Sequence, residues 1–207
     1  MTRTSHPEAP HNITTPRLIL VAATAGLVQA EIRDLPRFFH LLGVRPRPDW
    51  PPVDLADALP VFLEELETRP DQVGWLSWYW ILRPEAASGP PAEGPTSDVA
   101  GRDSGMLIGA GGFKGPPTNG RVEIGYHVLA PYRRRGYAAE AVGALLSWAF
   151  DHAGVHTVVA QTAVDNAPSL ALLAKLGFTP LSGPDRHGLV TLILHGGGMG
   201  STGGLPP

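Results

Sequence analysis

Apolar positions along the chain change rhythm several times, from short runs with period two to runs spaced by three and four and back again. Thr15 to Val21 (TPRLILV) has the β-rich, short character of a first strand. Thr24 to Leu42 follows with helical spacing, and Pro36 should divide it into two helices. The loop Arg45 to Pro52 (RPRPDWPP) holds too much proline for regular structure. Asp54 to Thr68 then places Leu55, Leu59, Phe62, Leu63 and Leu66 on one helical stripe. Gly74 to Leu82 (GWLSWYWIL) is aromatic and apolar on both alternating faces, which suits a central strand. Met106 to Phe113 and Val122 to Leu129 read as a hairpin around the turn Gly115 to Gly120 (GPPTNG). Tyr137 to Asp151 carries Ala138, Ala141, Val142, Leu145 and Ala149 on one face and leads to a strand over His156 to Ala163, a parallel β-α-β crossover. Asn166 to Leu176 starts on a capping residue, has Pro168 in its first turn and stops before Gly177. One or two final strands include Leu189 to Leu194. The order predicts an α/β fold with a mixed sheet of six or seven strands and helices on both faces.

Composition narrows this picture. The chain has 207 residues, of which 43% are hydrophobic, enough for one domain over residues 13–195. Residues 1–12 read as a polar leader, 84–105 as a Pro/Gly/Ser internal loop and 196–207 as a Gly-rich tail with nothing to pack. The absence of cysteine removes disulfides, thiolate metal sites and cysteine nucleophiles. The eight histidines are scattered without ligand spacing, so no metal is expected. No run approaches the roughly 20 apolar residues of a membrane span, and no signal segment opens the chain, so a cytoplasmic location is expected. A net charge of −3 argues against general nucleic-acid binding, which favours a basic excess. The one dense basic cluster, Arg133-Arg134-Arg135, therefore needs a local explanation.

That cluster lies in APYRRRGYAAEA (Ala130 to Ala141), where a strand feeds a helix. Amides at a helix N-terminus lack intrahelical partners and the dipole there favours negative charge, so the position suits a pyrophosphate. Gly136 permits close backbone approach, Ala138 leaves room, and the arginines supply counter-charge. A solvated basic turn is the plain alternative. No G-x-x-x-x-G-K-[ST] loop occurs, and no G-x-G-x-x-G lies at this site.

Arg133-Arg134-Arg135-Gly136-Tyr137-Ala138 matches the acetyl-CoA signature [QR]-x-x-G-x-[GA] and resembles the GNAT superfamily of N-acetyltransferases. Val122 to Val142 (VEIGYHVLAPYRRRGYAAEAV) resembles that family's fourth strand and following helix, and Asn166 to Phe178 (NAPSLALLAKLGF) its later N-x-x-S-x-x-x-x-x-K-x-G-F element. The pattern is similar to the branch that acetylates ribosomal-protein N-termini at alanine or serine. The resemblance implies two central parallel strands that splay apart, with acetyl-CoA between them. Its pantetheine arm would pair with the backbone at His127 and Leu129. Its pyrophosphate would lie on the turn formed by Arg133, Arg134, Arg135, Gly136, Tyr137 and Ala138, and Asn166 would reach the cofactor. Asn166 also has the simpler role of helix cap.

Acetyl transfer needs a neutral amine, a donor for the oxyanion and a proton for the departing thiolate. The resemblance makes Glu123 the general base, since a glutamate before I-G-Y faces the acceptor amine in this branch. Period-two alternation puts Glu123, Gly125, His127 and Leu129 on one strand face, with Glu123 and His127 roughly 13 Å apart. His127 is a second base acting through water, or a wall of the pocket. Where many relatives carry a tyrosine acid this chain has Leu173, and Ser169, one turn earlier, takes that place in the branch it resembles. Trp50, between stiff prolines, offers one wall for the acceptor or plugs the edge of the core. The acceptor is a primary amine, a protein N-terminus or a small molecule, with a homodimer allowed. The rival readings are an inactive acyl-CoA-binding module and a phosphate-binding scaffold.

Overall fold

Thr24 and Asp34 decide where the first helices begin in the computed structural model, which describes residues 12–84 and 105–197. Helix α1 (Ala25–Arg33) starts where the Thr24 side chain accepts from the Leu27 amide. Asp34 ends it, its amide donating to Ala30 at 2.7 Å. The same residue opens α2 (Leu35–Leu42), its carboxylate accepting from the Arg37 amide at 3.1 Å. The split therefore falls two residues before the expected Pro36, because a proline is tolerated in a helix's first turn, where its missing N–H costs nothing. Gly43, at φ 64°, closes α2 in the left-handed conformation.

Two compact units part between Ala110 and Gly111. The first holds β1 (Asn12–Thr14), β2 (Leu18–Ala22), α1, α2, α3 (Val53–Thr68), β3 (Ser77–Leu82) and the start of β4 (Met106–Phe113). Strands β1, β2 and β3 pair antiparallel in that order. Asn12 thus belongs to a strand, pairing with Val21, and not to the leader assigned to it from composition. The cause is a tight turn: Thr15 and Leu18 exchange backbone and hydroxyl hydrogen bonds across Pro16-Arg17 and fold Ile13 back onto Leu20. All six residues of β3 are buried, as its two apolar faces predict. It begins at Ser77, after a turn that uses Gly74 at φ 93°.

The second unit contains the remainder of β4, β5 (Arg121–Val128), α4 (Tyr137–Phe150), β6 (Thr157–Ala163), α5 (Ala167–Lys175), β7 (Thr179–Pro180) and β8 (Leu189–His195). Its strands lie in the order β5-β6-β8-β7, with β5 and β6 parallel and the other junctions antiparallel. The expected crossover β5-α4-β6 is present, as is the mixed sheet. A 3-10 turn over Ala130–Tyr132, which periodicity did not suggest, comes between β5 and α4. The buried stripe of α4 is Tyr137, Ala141, Val142, Leu145, Leu146 and Ala149. Residues 1–11 of the leader, 85–104 of the internal loop and 198–207 of the tail lie outside the described residues. Of the segment ends, Gly105 bridges to Val44, and the Gly196 amide donates to His156 at 2.9 Å.

Candidate active site

The sheet of the second unit opens between its two parallel strands. Their ladder runs from Arg121 opposite Thr157 to Ile124 opposite Ala160 and stops, although β5 continues to Val128 and β6 to Ala163. Strand β6 stays paired with β8 along its whole length, so the fork lies on its β5 side. On β5 the even positions Val122 and Ile124 are buried, whereas Gly125 is exposed in the middle of the strand and a side chain built there would meet nothing within 4 Å. Glu123, Gly125 and His127 share this more open face. Glu123 sits on the closed part of the ladder, opposite Val159, and His127 on the splayed part.

At the end of the fork the chain turns into α4. Arg134 adopts φ 60° and Gly136 φ 82°, two left-handed residues within one short turn. The first is uncommon for a side chain of this size. Gly136 is the N-cap of α4 and, having no side chain, makes no side-chain cap hydrogen bond, so the amides of the first turn lie at an N-terminus that no cap residue closes. The turn from Arg133 to Gly136 is exposed. An anion would find amides, the positive end of a helix dipole and nearby guanidinium groups here, so these residues fit a pyrophosphate. Arg133 is partly committed elsewhere: its Nε–H donates to the Val128 carbonyl at 2.8 Å and latches the turn to the end of β5. Leu129, joining strand to turn, is buried.

Helix α5 meets the fork from the β6 side. Asn166 caps it, its Oδ1 accepting from the Ser169 amide at 3.3 Å, while its Nδ2 donates to Thr162 Oγ1 at 3.0 Å. Both halves of the amide thus serve to seat α5 on the splayed part of β6. Ser169 lies half-buried in the first turn, and its Oγ is 2.7 Å from the Tyr126 hydroxyl. Burial pushes the Tyr126 phenol above its ordinary value, and the bond to Ser169 partly offsets the rise. One turn on, Leu173 is 1% exposed and belongs to the core.

Two partners in this site were not anticipated. Lys114 pairs with Glu123 Oε1, and the same two residues are joined by a backbone bond from the Lys114 amide to the Glu123 carbonyl at 2.9 Å. The turn Gly115 to Gly120 carried the signal, since folding it brings Lys114 back against β5. Tyr126, on the face that alternation sets opposite Glu123 and His127, is the other partner, through its contact with Ser169.

The first unit holds Trp50 away from solvent, at 3% exposure, with Phe38 stacked at 6.4 Å between ring centroids and Tyr79 edge-on at 6.3 Å. Its indole N–H donates to Glu31 Oε1 at 2.8 Å, and the Tyr79 hydroxyl lies 2.5 Å from Glu31 Oε2. That burial fits the core plug and not an open pocket wall, because Trp50 offers neither face nor N–H to solvent. Desolvation raises the Glu31 carboxyl to about 7 against the lowering effect of both hydrogen bonds. Among the described residues no cluster of three or more His, Cys, Asp or Glu is placed to hold a metal ion, and no helix is long and apolar enough to cross a membrane.

Residues 26–179 match the acetyltransferase (GNAT) domain family. The chain is 30% identical over 165 residues, 79% of its length and 87% of the relative's, to YjdG of Bacillus subtilis (strain 168), an uncharacterized N-acetyltransferase. Its fold is similar to that of ribosomal-protein-S5-alanine acetyltransferase from Vibrio fischeri, with a TM-score of 0.55, 14% identity, and coverage of 90% of this chain and 97% of that one. It is also similar to RimL, a ribosomal L7/L12 α-N-protein acetyltransferase in complex with coenzyme A, with a TM-score of 0.55, 16% identity, and coverage of 89% and 98%.

Proposed function

The chain belongs to the GNAT acetyltransferase family, and from that premise we propose that the β5/β6 fork and the Gly136 turn hold acetyl-CoA while Glu123 takes the proton from a primary amine. It is an acetyl-CoA-dependent N-acetyltransferase, so the chemistry to be allotted is attack of an amine on a thioester carbonyl. The observation that carries the allotment is the end of the parallel ladder at Ile124 and Ala160, directly before a turn whose helix lacks a side-chain cap. The backbone near His127 and Leu129 receives the pantetheine arm. The amides of Tyr137 and Ala138 and the guanidinium groups of Arg134 and Arg135 receive the pyrophosphate. Arg133 holds the turn in place, and Asn166 holds α5.

Glu123 stands on the open face of β5 and reaches an amine with the carboxylate oxygen that Lys114 leaves unused. A protein N-terminal amine, with a pKa of about 7.7–8.0, is partly neutral near pH 7, whereas a lysine-type amine near 10.4 must be deprotonated first. One half-exposed carboxylate fits the former, so the acceptor is a protein N-terminus or a small amine of similar basicity. A cytoplasmic site of action is part of the same reading. The match of residues 26–179 supports one catalytic domain, whose start β1 moves from residue 13 to Asn12 and whose end is residue 195.

The test is Gly136→Asp, which adds a negative charge and a side chain at φ 82°. Calorimetric affinity for acetyl-CoA should fall at least about 100-fold, close to 3 kcal/mol. Saturating acetyl-CoA should raise the wild-type Tm and leave that of the variant unmoved. Wild-type affinity in the variant would remove this turn from the cofactor site.

A further inference from the structure

The fork is bridged at one point by a pair of hydroxyls. Tyr126 lies on the splayed part of β5, Ser169 lies on the helix that follows β6, and their oxygens are 2.7 Å apart. Ser169 is otherwise fixed by its amide, which donates to Asn166, and Asn166 is itself anchored to Thr162 on the splayed part of β6. Both sides of the fork therefore hold this bridge in register. Tyr126 is a conditional donor only in the sense that every phenol is: its burial favours the protonated form at any pH where the enzyme would work.

We propose that Tyr126 is a positioning residue that donates its hydroxyl hydrogen to Ser169 Oγ, turning the hydrogen of Ser169 toward the fork where the thiolate of coenzyme A departs. A serine hydroxyl rotates freely about its C–O bond, and alone it gives a poorly directed donor. Once its oxygen accepts from Tyr126, its own hydrogen must point away from that bond. The inference rests on the acetyl-CoA reading of the fork and adds to it the route of the leaving-group proton.

The step balances as follows. The amine nitrogen bonds to the acetyl carbon and the carbon–sulfur bond breaks, with its electron pair passing to sulfur. The sulfur takes the proton of Ser169 as Ser169 takes that of Tyr126. The proton lost by the amine passes through Glu123 to solvent, and solvent returns one to the Tyr126 oxygen. No oxidant or further reactant is required. Leu173, one turn further along α5, is buried in the core and has no proton to give.

The experiment compares wild type, Tyr126→Phe, Ser169→Ala and the double variant, by thiol release with a panel of amines and by calorimetry with acetyl-CoA. Tyr126→Phe keeps the ring and removes one oxygen. It should lower kcat roughly 10- to 100-fold, at or below the lower end of full general acid effects because Ser169 still carries a proton, and keep acetyl-CoA affinity within about threefold. The double variant should be no slower than Ser169→Ala, because the two hydroxyls act as a unit. In mixtures of light and heavy water the wild-type rate should follow a two-proton curve and the Tyr126→Phe rate a straight line. Ser169→Thr, which keeps the hydroxyl, should recover part of the rate lost in Ser169→Ala. Wild-type kcat in Tyr126→Phe overturns the proposal, as do multiplicative losses in the double variant or a tenfold loss of acetyl-CoA affinity in a folded variant. A wild-type chain that binds no acetyl-CoA overturns the reading beneath it as well, whereas binding and turnover without the Tyr126 effect overturns the bridge alone.

Discussion

Tyr79 and Tyr126 are both strand tyrosines whose hydroxyls meet an oxygen of a helical side chain, at 2.5 Å and 2.7 Å. Burial raises the phenol of each above its ordinary range. Tyr79, in β3, is fully buried with Phe38 edge-on to its ring, and its buried partner Glu31 also accepts from Trp50. Tyr126, in β5, is half-buried beside strands that have parted. The difference lies in the sheet and not in the side chains. Where the ladder is complete and aromatic rings close over it, a hydroxyl and a carboxyl can only stabilise or destabilise the fold. Where the ladder stops, the same groups can meet a substrate.

The sharpest way to test that contrast is Glu123→Gln, which removes the carboxylate proposed as base from the open face with little change in size. A loss of about 10²- to 10⁴-fold in kcat is expected, with calorimetric acetyl-CoA affinity retained. Because the pair with Lys114 is partly exposed, losing it should cost the fold no more than about 1 kcal/mol. An unchanged rate and pH-rate profile would take Glu123 out of the mechanism.

The closed cluster should instead be read in stability. Glu31 titrates at about 7 in the folded chain against 4.5 as its ordinary value. Between those values the folded carboxyl keeps a proton that the unfolded chain releases. Stability is therefore fully present below about pH 4.5, falls as pH rises toward 7, and levels off above it, a change of about 3 kcal/mol. Glu31→Gln cannot ionise, and it still fits, since Trp50 can donate to the amide oxygen and the Tyr79 hydroxyl can rotate to accept from the amide nitrogen. Thermal unfolding from pH 5 to 8 should slope downward in wild type and be nearly flat by comparison in Glu31→Gln. Equal slopes would show that Glu31 does not ionise across this range.

Much of this was legible in the residues themselves. Strand β3 announced itself by apolar residues on both faces, and α5 by Asn166, Pro168 and Gly177 in cap and stop positions. The strand, basic turn and helix around Gly136 were legible as a unit, and the structure has them as β5, a turn with two left-handed residues and α4. The buried role of Glu31 was also within reach, because Leu27, Val28 and Glu31 fall on one face of α1. What could not be read is contact between distant positions. Tyr126 and Ser169 are 43 residues apart, and they meet only because Asn166 seats α5 against Thr162. The Arg133 latch is similar: composition shows three equivalent arginines, and only the turn geometry separates the one bound to Val128.

Trp50 gives the smallest and most discriminating effect. Trp50→Phe preserves a flat ring against Phe38 and Tyr79 and removes the N–H that serves Glu31 Oε1. A buried carboxyl deprived of one of two donors becomes harder to ionise, so the Glu31 titration should move further up. The fold should lose about 1–3 kcal/mol, more above pH 7 than below pH 5. If Trp50 is a core residue, amine KM and acetyl-CoA affinity should both stay within about threefold while the Tm falls. If it walls the acceptor pocket, amine KM should rise with little change in Tm, since the ring facing the amine would be smaller and the carboxyl would not depend on it. Unfolding curves at pH 5 and pH 8, set beside amine KM for the same variant, separate the two roles in one preparation. They also show whether the closed cluster of the first unit has any part in choosing the acceptor.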